Sequence, residues 1–127
     1  MSEFADALHE VFERFGRISV RRMFGGYGIY HEERMFALVS GDRLYLKTDD
    51  ISRPQFEARR LPPFEYTRQG KTMATSYHEA PAEVFEDRDE AAAWARLAWA
   101  AVLRKKSAAT PKKPKPKPKP KAAKPRS

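Results

Sequence analysis

Cysteine is absent from the 127 residues. That excludes disulfides, thiol nucleophiles and thiolate-built zinc sites. No apolar run approaches the roughly 18 to 20 residues that a membrane span needs. The first residues, Met1 to Ala7, lack the basic-then-apolar order of a secretory signal. The default expectation is therefore a cytoplasmic protein. Histidine is scarce: His9, His31 and His78 are the only three. None has a second histidine or a carboxylate at a ligand spacing that stands out, so neutral surface histidines are expected, with no metal and no cofactor.

One more absence organises the chain. From Ser107 to Ser127 there is no acidic residue, while seven lysines and one arginine lie there. These are Lys112, Lys113, Lys115, Lys117, Lys119, Lys121, Lys124 and Arg126. The net charge of the whole chain is +8. Removing these eight cations from the 25 basic residues leaves 17, against 17 acidic ones. The body is thus neutral, and the basic character belongs to the tail. Lys-Pro alternation favours an extended, polyproline-II-like chain. Nothing in the segment is large and apolar enough to offset the entropy of ordering it. The reading is a domain over 1–106 and a disordered basic tail over 107–127.

A tail of eight unopposed cations attracts dense polyanions without sequence preference and with steep salt dependence. It has no Arg-Gly-Arg core of a minor-groove hook. DNA is the partner this suggests, with nucleoid association as a corollary. RNA and anionic lipid share the same electrostatics.

Within the body, Phe4, Leu8, Val11, Phe12 and Phe15 form one stripe at the helical period. Residues 3 to 15 are predicted as a helix, with Gly16 as its C-terminal cap. Strands are predicted over 18–24, 27–31, 35–39 and 43–47, joined by short turns into an antiparallel meander. Asp50 or Ser52 would cap a short helix with Pro54 in its first turn and Phe56 facing inward. A hairpin over 64–68 and 71–78 closes around Gln69-Gly70. Pro81 opens a helical turn through Val84. Asp87 and Glu90 have capping-box spacing ahead of a helix from about 89 to 105. The fold class is α+β: an antiparallel sheet of about six strands, with the N-terminal helix and the C-terminal helices packed on one face.

The stretch Arg21-Arg22-Met23-Phe24-Gly25-Gly26-Tyr27-Gly28-Ile29-Tyr30 resembles the signature of the TfoX N-terminal-domain family, also called Sxy-like. Leu44-Tyr45-Leu46-Lys47, Pro63-Phe64-Glu65-Tyr66, Met73 to Tyr77, and the Trp94-Ala95-Arg96 helix fall in the same order. The resemblance covers roughly residues 5 to 105. It implies an α+β fold. In the family's better-known members it implies regulation of competence for DNA uptake, exerted with the transcription machinery. Those members carry a second, helical C-terminal domain. Here the Lys/Pro tail stands where that domain would lie. The resemblance supplies no catalytic residues.

Four further patterns bear on function. Gly25, Gly26 and Gly28 precede a strand and not a helix, so they read as a tight turn or bulge rather than a phosphate loop. Ser76 or Tyr77 would not easily meet His78, because adjacent strand residues point to opposite faces; the chain reads as non-enzymatic. Arg21, Arg22, Lys47, Arg68 and Lys71 interleave with Tyr27, Tyr30, Tyr45, Tyr66 and Tyr77 on the strands. This suits base stacking, but equally a half-exposed sheet face. On the last helix, Trp99, Val102 and Leu103 widen the apolar arc beyond Trp94, Leu97, Ala98 and Ala101. Arg21, Arg22, Trp99, Val102 and Leu103 are therefore candidates for an interaction surface with a protein partner or a second copy. Two functions follow: a regulatory or accessory protein held on DNA by its tail, or a protein-interaction module with no nucleic-acid role.

Overall fold

The computed structural model describes residues 3–23 and 25–108, the side chains of Arg68 and of 106–108 excepted. The elements are α1 (Glu3–Val11), β1 (Ser19–Met23), β2 (Gly26–His31), β3 (Arg34–Ser40), β4 (Arg43–Lys47), α2 (Arg53–Ala58), β5 (Pro63–Arg68), β6 (Lys71–Glu79), α3 (Glu83–Glu86) and α4 (Arg88–Ala108). The fold is α+β, built on a six-stranded antiparallel sheet. Its order is β1-β2-β3-β4-β6-β5. The first four strands are the meander. The chain then passes through α2 to the far edge before β6 returns beside β4. Among the described residues, no helix is long and apolar enough to cross a membrane.

Three two-residue turns set the register. Glu32-Glu33, Gly41-Asp42 and Gln69-Gly70 each have both residues at positive φ. That conformation matches the right-handed twist of the strands it joins. It is easy for glycine and strained for the two glutamates.

Pairing lays the side chains out in rows. One row across the sheet is Val20, Ile29, Ala37, Leu46 and His78. The neighbouring row is Arg21, Gly28, Leu38, Tyr45 and Glu79. Successive residues on a strand point to opposite faces, so the two rows are the two faces. The first row joins a single core with Leu8 and Phe12 from the N-terminal segment, Phe56 of α2, Val84 of α3, and Ala91, Ala95, Ala98 and Val102 of α4. All helices therefore cover the same face. The alanine stripe lets α4 lie close against the strands. A bulge in β3 breaks the alternation: Ile29 pairs with Ala37 and Tyr30 with Met35, which leaves Phe36 as the extra residue. Both Phe36 and Ala37 consequently enter the core.

Several boundaries differ from the sequence expectation. The first helix stops at Val11 and not at Phe15. Its continuation tightens into i→i+3 bonds, Glu13 N–H to Glu10 O and Phe15 N–H to Phe12 O. This keeps Phe12 and Phe15 against Phe36, at ring separations of 5.6 and 5.1 Å. Ser52 occupies the N-cap of α2 but makes no side-chain cap bond. Instead Asp49 Oδ1 accepts the N–H groups of Ile51 and Ser52, and Ser52 Oγ accepts the N–H of Asp49. Asp87 caps α4 as the spacing implied, accepting the N–H groups of Asp89 and Glu90.

Candidate functional site

Glycine at two positions explains how β2 sits in the sheet. A Cβ on Gly26 would lie 1.9 Å from the Val39 carbonyl oxygen, so only glycine permits that approach. A Cβ on Gly28 would meet Met23 Sδ, Met35 Sδ and Tyr30 Cε1 at 2.7 to 2.9 Å. Those three side chains therefore converge over Gly28 on the uncovered face. With Arg22 they border an open groove of about 670 Å³. Gly26 thus serves backbone packing, and Gly28 makes room for side chains.

The interleaved basic and aromatic residues separate into several groups. Arg21 lies over the Tyr30 ring, 4.4 Å from its centroid, and pairs with Glu33 at 2.9 Å. Lys47 Nζ is 5.2 Å from the Tyr77 ring centroid. Tyr45 packs on Phe64 at 5.1 Å. Burial, with Tyr30 nearby, pushes the Tyr77 hydroxyl up to about 12. Tyr27 instead packs against the core cluster, while Tyr66 and Lys71 lie out on the β5–β6 ribbon.

The surface expected on α4 is only partly there. Val102 belongs to the core, because its spacing from Ala95 and Ala98 continues the buried stripe; as an exposed contact it is corrected. Trp99 is half-buried and meets His31 edge-on at 4.8 Å. Leu103 is exposed. Arg22 is exposed at the β1 edge, on the row of Tyr27, Val39 and Leu44.

Two histidines also need correction. His9 is exposed, but His78 is buried and His31 half-buried. His78 Nδ1 is 2.8 Å from the Leu61 carbonyl, and His31 Nδ1 is 2.8 Å from that of Arg17. These backbone carbonyls partner Nδ1 of each ring and hold loops to the sheet, while His31 Nε2 faces Glu32 Oε2 at 3.5 Å. Ser76 does not bond His78; its hydroxyl receives a bond from Lys47 Nζ at 2.5 Å. Among the described residues, no group of three or more metal-ligating side chains converges.

A second corner forms where β4 ends beside the C-terminal half of α4. Arg104 grips Asp49 with two bonds, Nε–Oδ2 at 2.5 Å and Nη2–Oδ1 at 2.9 Å. That guanidinium holds the Asp49 carboxyl well below the usual carboxylate range, aided by Ser52. Lys47, Ser76, Arg104 and Lys105 border a groove of about 470 Å³ there. Lys47 was visible in the sequence as one strand cation among five, and position 105 as the expected end of the last helix. Nothing local announced that they meet.

The tail cations, Lys112, Lys113, Lys115, Lys117, Lys119, Lys121, Lys124 and Arg126, lie outside the described residues.

Residues 10–102 match the family described as the TfoX N-terminal domain. The chain belongs to that family. Over 88 residues it is 31% identical to the DNA transformation protein TfoX1 of Aliivibrio fischeri, a stretch covering 69% of this chain. The chain spans 42% of that relative's length.

Proposed function

We propose that this TfoX N-terminal-domain protein is a non-enzymatic regulatory or accessory factor related to DNA transformation, held on DNA non-specifically by its basic tail. The observation that carries the reading is charge segregation. Eight cations without a single acid follow a body whose 17 basic and 17 acidic groups balance. The similarity to a DNA transformation protein supports the biological setting. A cationic segment tethered to a domain raises the local concentration of that domain on DNA without adding a new specific contact. The body is then free to engage a protein partner, for which the uncovered sheet face offers the groove of Met23, Tyr30 and Met35.

The test compares DNA affinity of the full chain with a chain ending at Lys106, across a salt series. The full chain should lose affinity with a log–log slope of up to about −7, from roughly 0.9 per cation neutralised over eight cations. The shortened chain should show a slope near zero and weak binding. Equal affinities for the two would refute the tail as the contact. Absence of measurable DNA binding by either chain would make a protein-interaction module without a nucleic-acid role the better account.

A further inference from the structure

We propose that the corner formed by Lys47, Ser76 and Lys105 is a phosphate-binding site in the folded body, separate from the tail. The argument rests on which charges in the groove are already answered. Asp49 is held by Arg104. Asp50 is paired with Arg53 at 2.9 Å. Each acid is paired to its own arginine, and what remains for Lys47 is a weaker pull from Asp49 across more than ion-pair distance. Among the described residues, no carboxylate lies within ion-pair distance of Lys47 or Lys105.

Lys47 is 7% exposed. Its Nζ donates to Ser76 Oγ and lies near the Tyr77 ring. A largely buried lysine without a directly paired counter-ion is costly, and a hydroxyl bond compensates only part of that cost. Lys105 on α4 approaches the same ammonium and repels it. Burial first, then this repulsion, lowers the Lys47 pKa from its ordinary value, against a smaller opposing pull from the Asp49 carboxylate. Two lysines at one open groove, with the Ser76 hydroxyl bonded to one of them, lack only an anion. A phosphate group offers oxygens to both ammonium groups and accepts from the hydroxyl. The Arg104–Asp49 clasp fixes the turn of α4 that presents Lys105, so the site is held by the fold.

The test is an amide-resolved titration of the full chain with inorganic phosphate, ionic strength being kept constant with chloride. Saturable shifts at Ser76, Tyr77 and Lys105 are expected. Lys105→Ala, an exposed substitution, should weaken phosphate binding about tenfold, the equivalent of one charge-assisted contact. Lys47→Met, similar in length, should abolish it. If that variant fails to fold, Lys105→Ala still decides. A short single-stranded oligonucleotide without terminal phosphates forms the second arm. Shifts with both ligands assign the phosphate to a nucleic-acid backbone. Shifts with inorganic phosphate alone assign it to free phosphate or a small phosphorylated molecule. Shifts that follow chloride equally, or persist undiminished in Lys105→Ala, overturn the site. The chain ending at Lys106 retains all three residues, so loss of tail binding and loss of this site are read separately.

Discussion

Two adjacent rows of the sheet show how one backbone makes two different surfaces. Val20, Ile29, Ala37, Leu46 and His78 lie under the helices, and all but Val20 are buried. Arg21, Gly28, Leu38, Tyr45 and Glu79 lie on the side without helices, where arginine, tyrosine and glutamate keep partial contact with water. Strand geometry is the same for both. The difference comes from what is packed on top: Phe12, Phe56 and the alanine stripe of α4 on one side, and mutual contacts among Met23, Tyr30 and Met35 on the other. Burial is thus concentrated under the helices, with Leu38 the large buried side chain of the other row.

Neighbouring residues in β3 put that contrast to the sharpest test. Phe36 is fully buried between Phe12 and Phe15, whereas Met35 is half-buried over Gly28. Phe36→Ala should cost about 3–5 kcal/mol in urea unfolding, from lost transfer energy and a cavity. Met35→Ala should cost about 1 kcal/mol, since its surroundings relax into solvent. Comparable losses would mean that the uncovered face is as tightly packed as the core.

The glycines of β2 give the next contrast. Gly26→Ala drives a methyl into the Val39 carbonyl, a backbone atom, and should destabilise by about 3 kcal/mol. Gly28→Ala meets only the ends of two methionines and a tyrosine, which can move aside. It should cost less than about 1 kcal/mol. Paired thermal melts of the two variants check this.

Asp49→Asn probes the link between strand and α4. The Asp49 carboxylate has a depressed pKa, so its contribution is present above the unfolded value, about 4, and is lost as pH falls below it. At pH 6 the substitution should cost about 1–2 kcal/mol, a range that already allows for screening at the partly exposed Arg104. The gap to the unsubstituted protein should shrink between pH 5 and about 3 in urea titrations. A gap independent of pH would show that the charge is not what matters there.

The smallest effect is expected at the β2–β3 turn. Replacing Glu32-Glu33 by Asn-Gly relieves two positive-φ glutamates and should stabilise by about 0.5–1 kcal/mol, offset slightly by loss of the exposed Arg21–Glu33 pair. A calorimetric Tm below that of the unsubstituted protein would show the pair to be worth more than the strain.

Much of this architecture was readable along the chain, because its causes are local. The Phe stripe of α1, the turns at Glu32-Glu33 and Gln69-Gly70, Pro54 near the start of α2 and the Asp87 cap each depend on a few neighbouring residues. The segregation of charge into the last 21 residues is likewise a property of the chain alone. Other features required the fold. The sequence does not show that β6 returns beside β4, that a bulge turns both Phe36 and Ala37 inward, or that Val102 is core and not surface. The meeting of Lys47 with Ser76 and Lys105 belongs with these, since those residues are 29 and 58 positions from Lys47. Periodicity specifies which residues share a face of one element. Which faces meet, and which charges are left without an answer, is decided only when distant elements compete to bury the same surface.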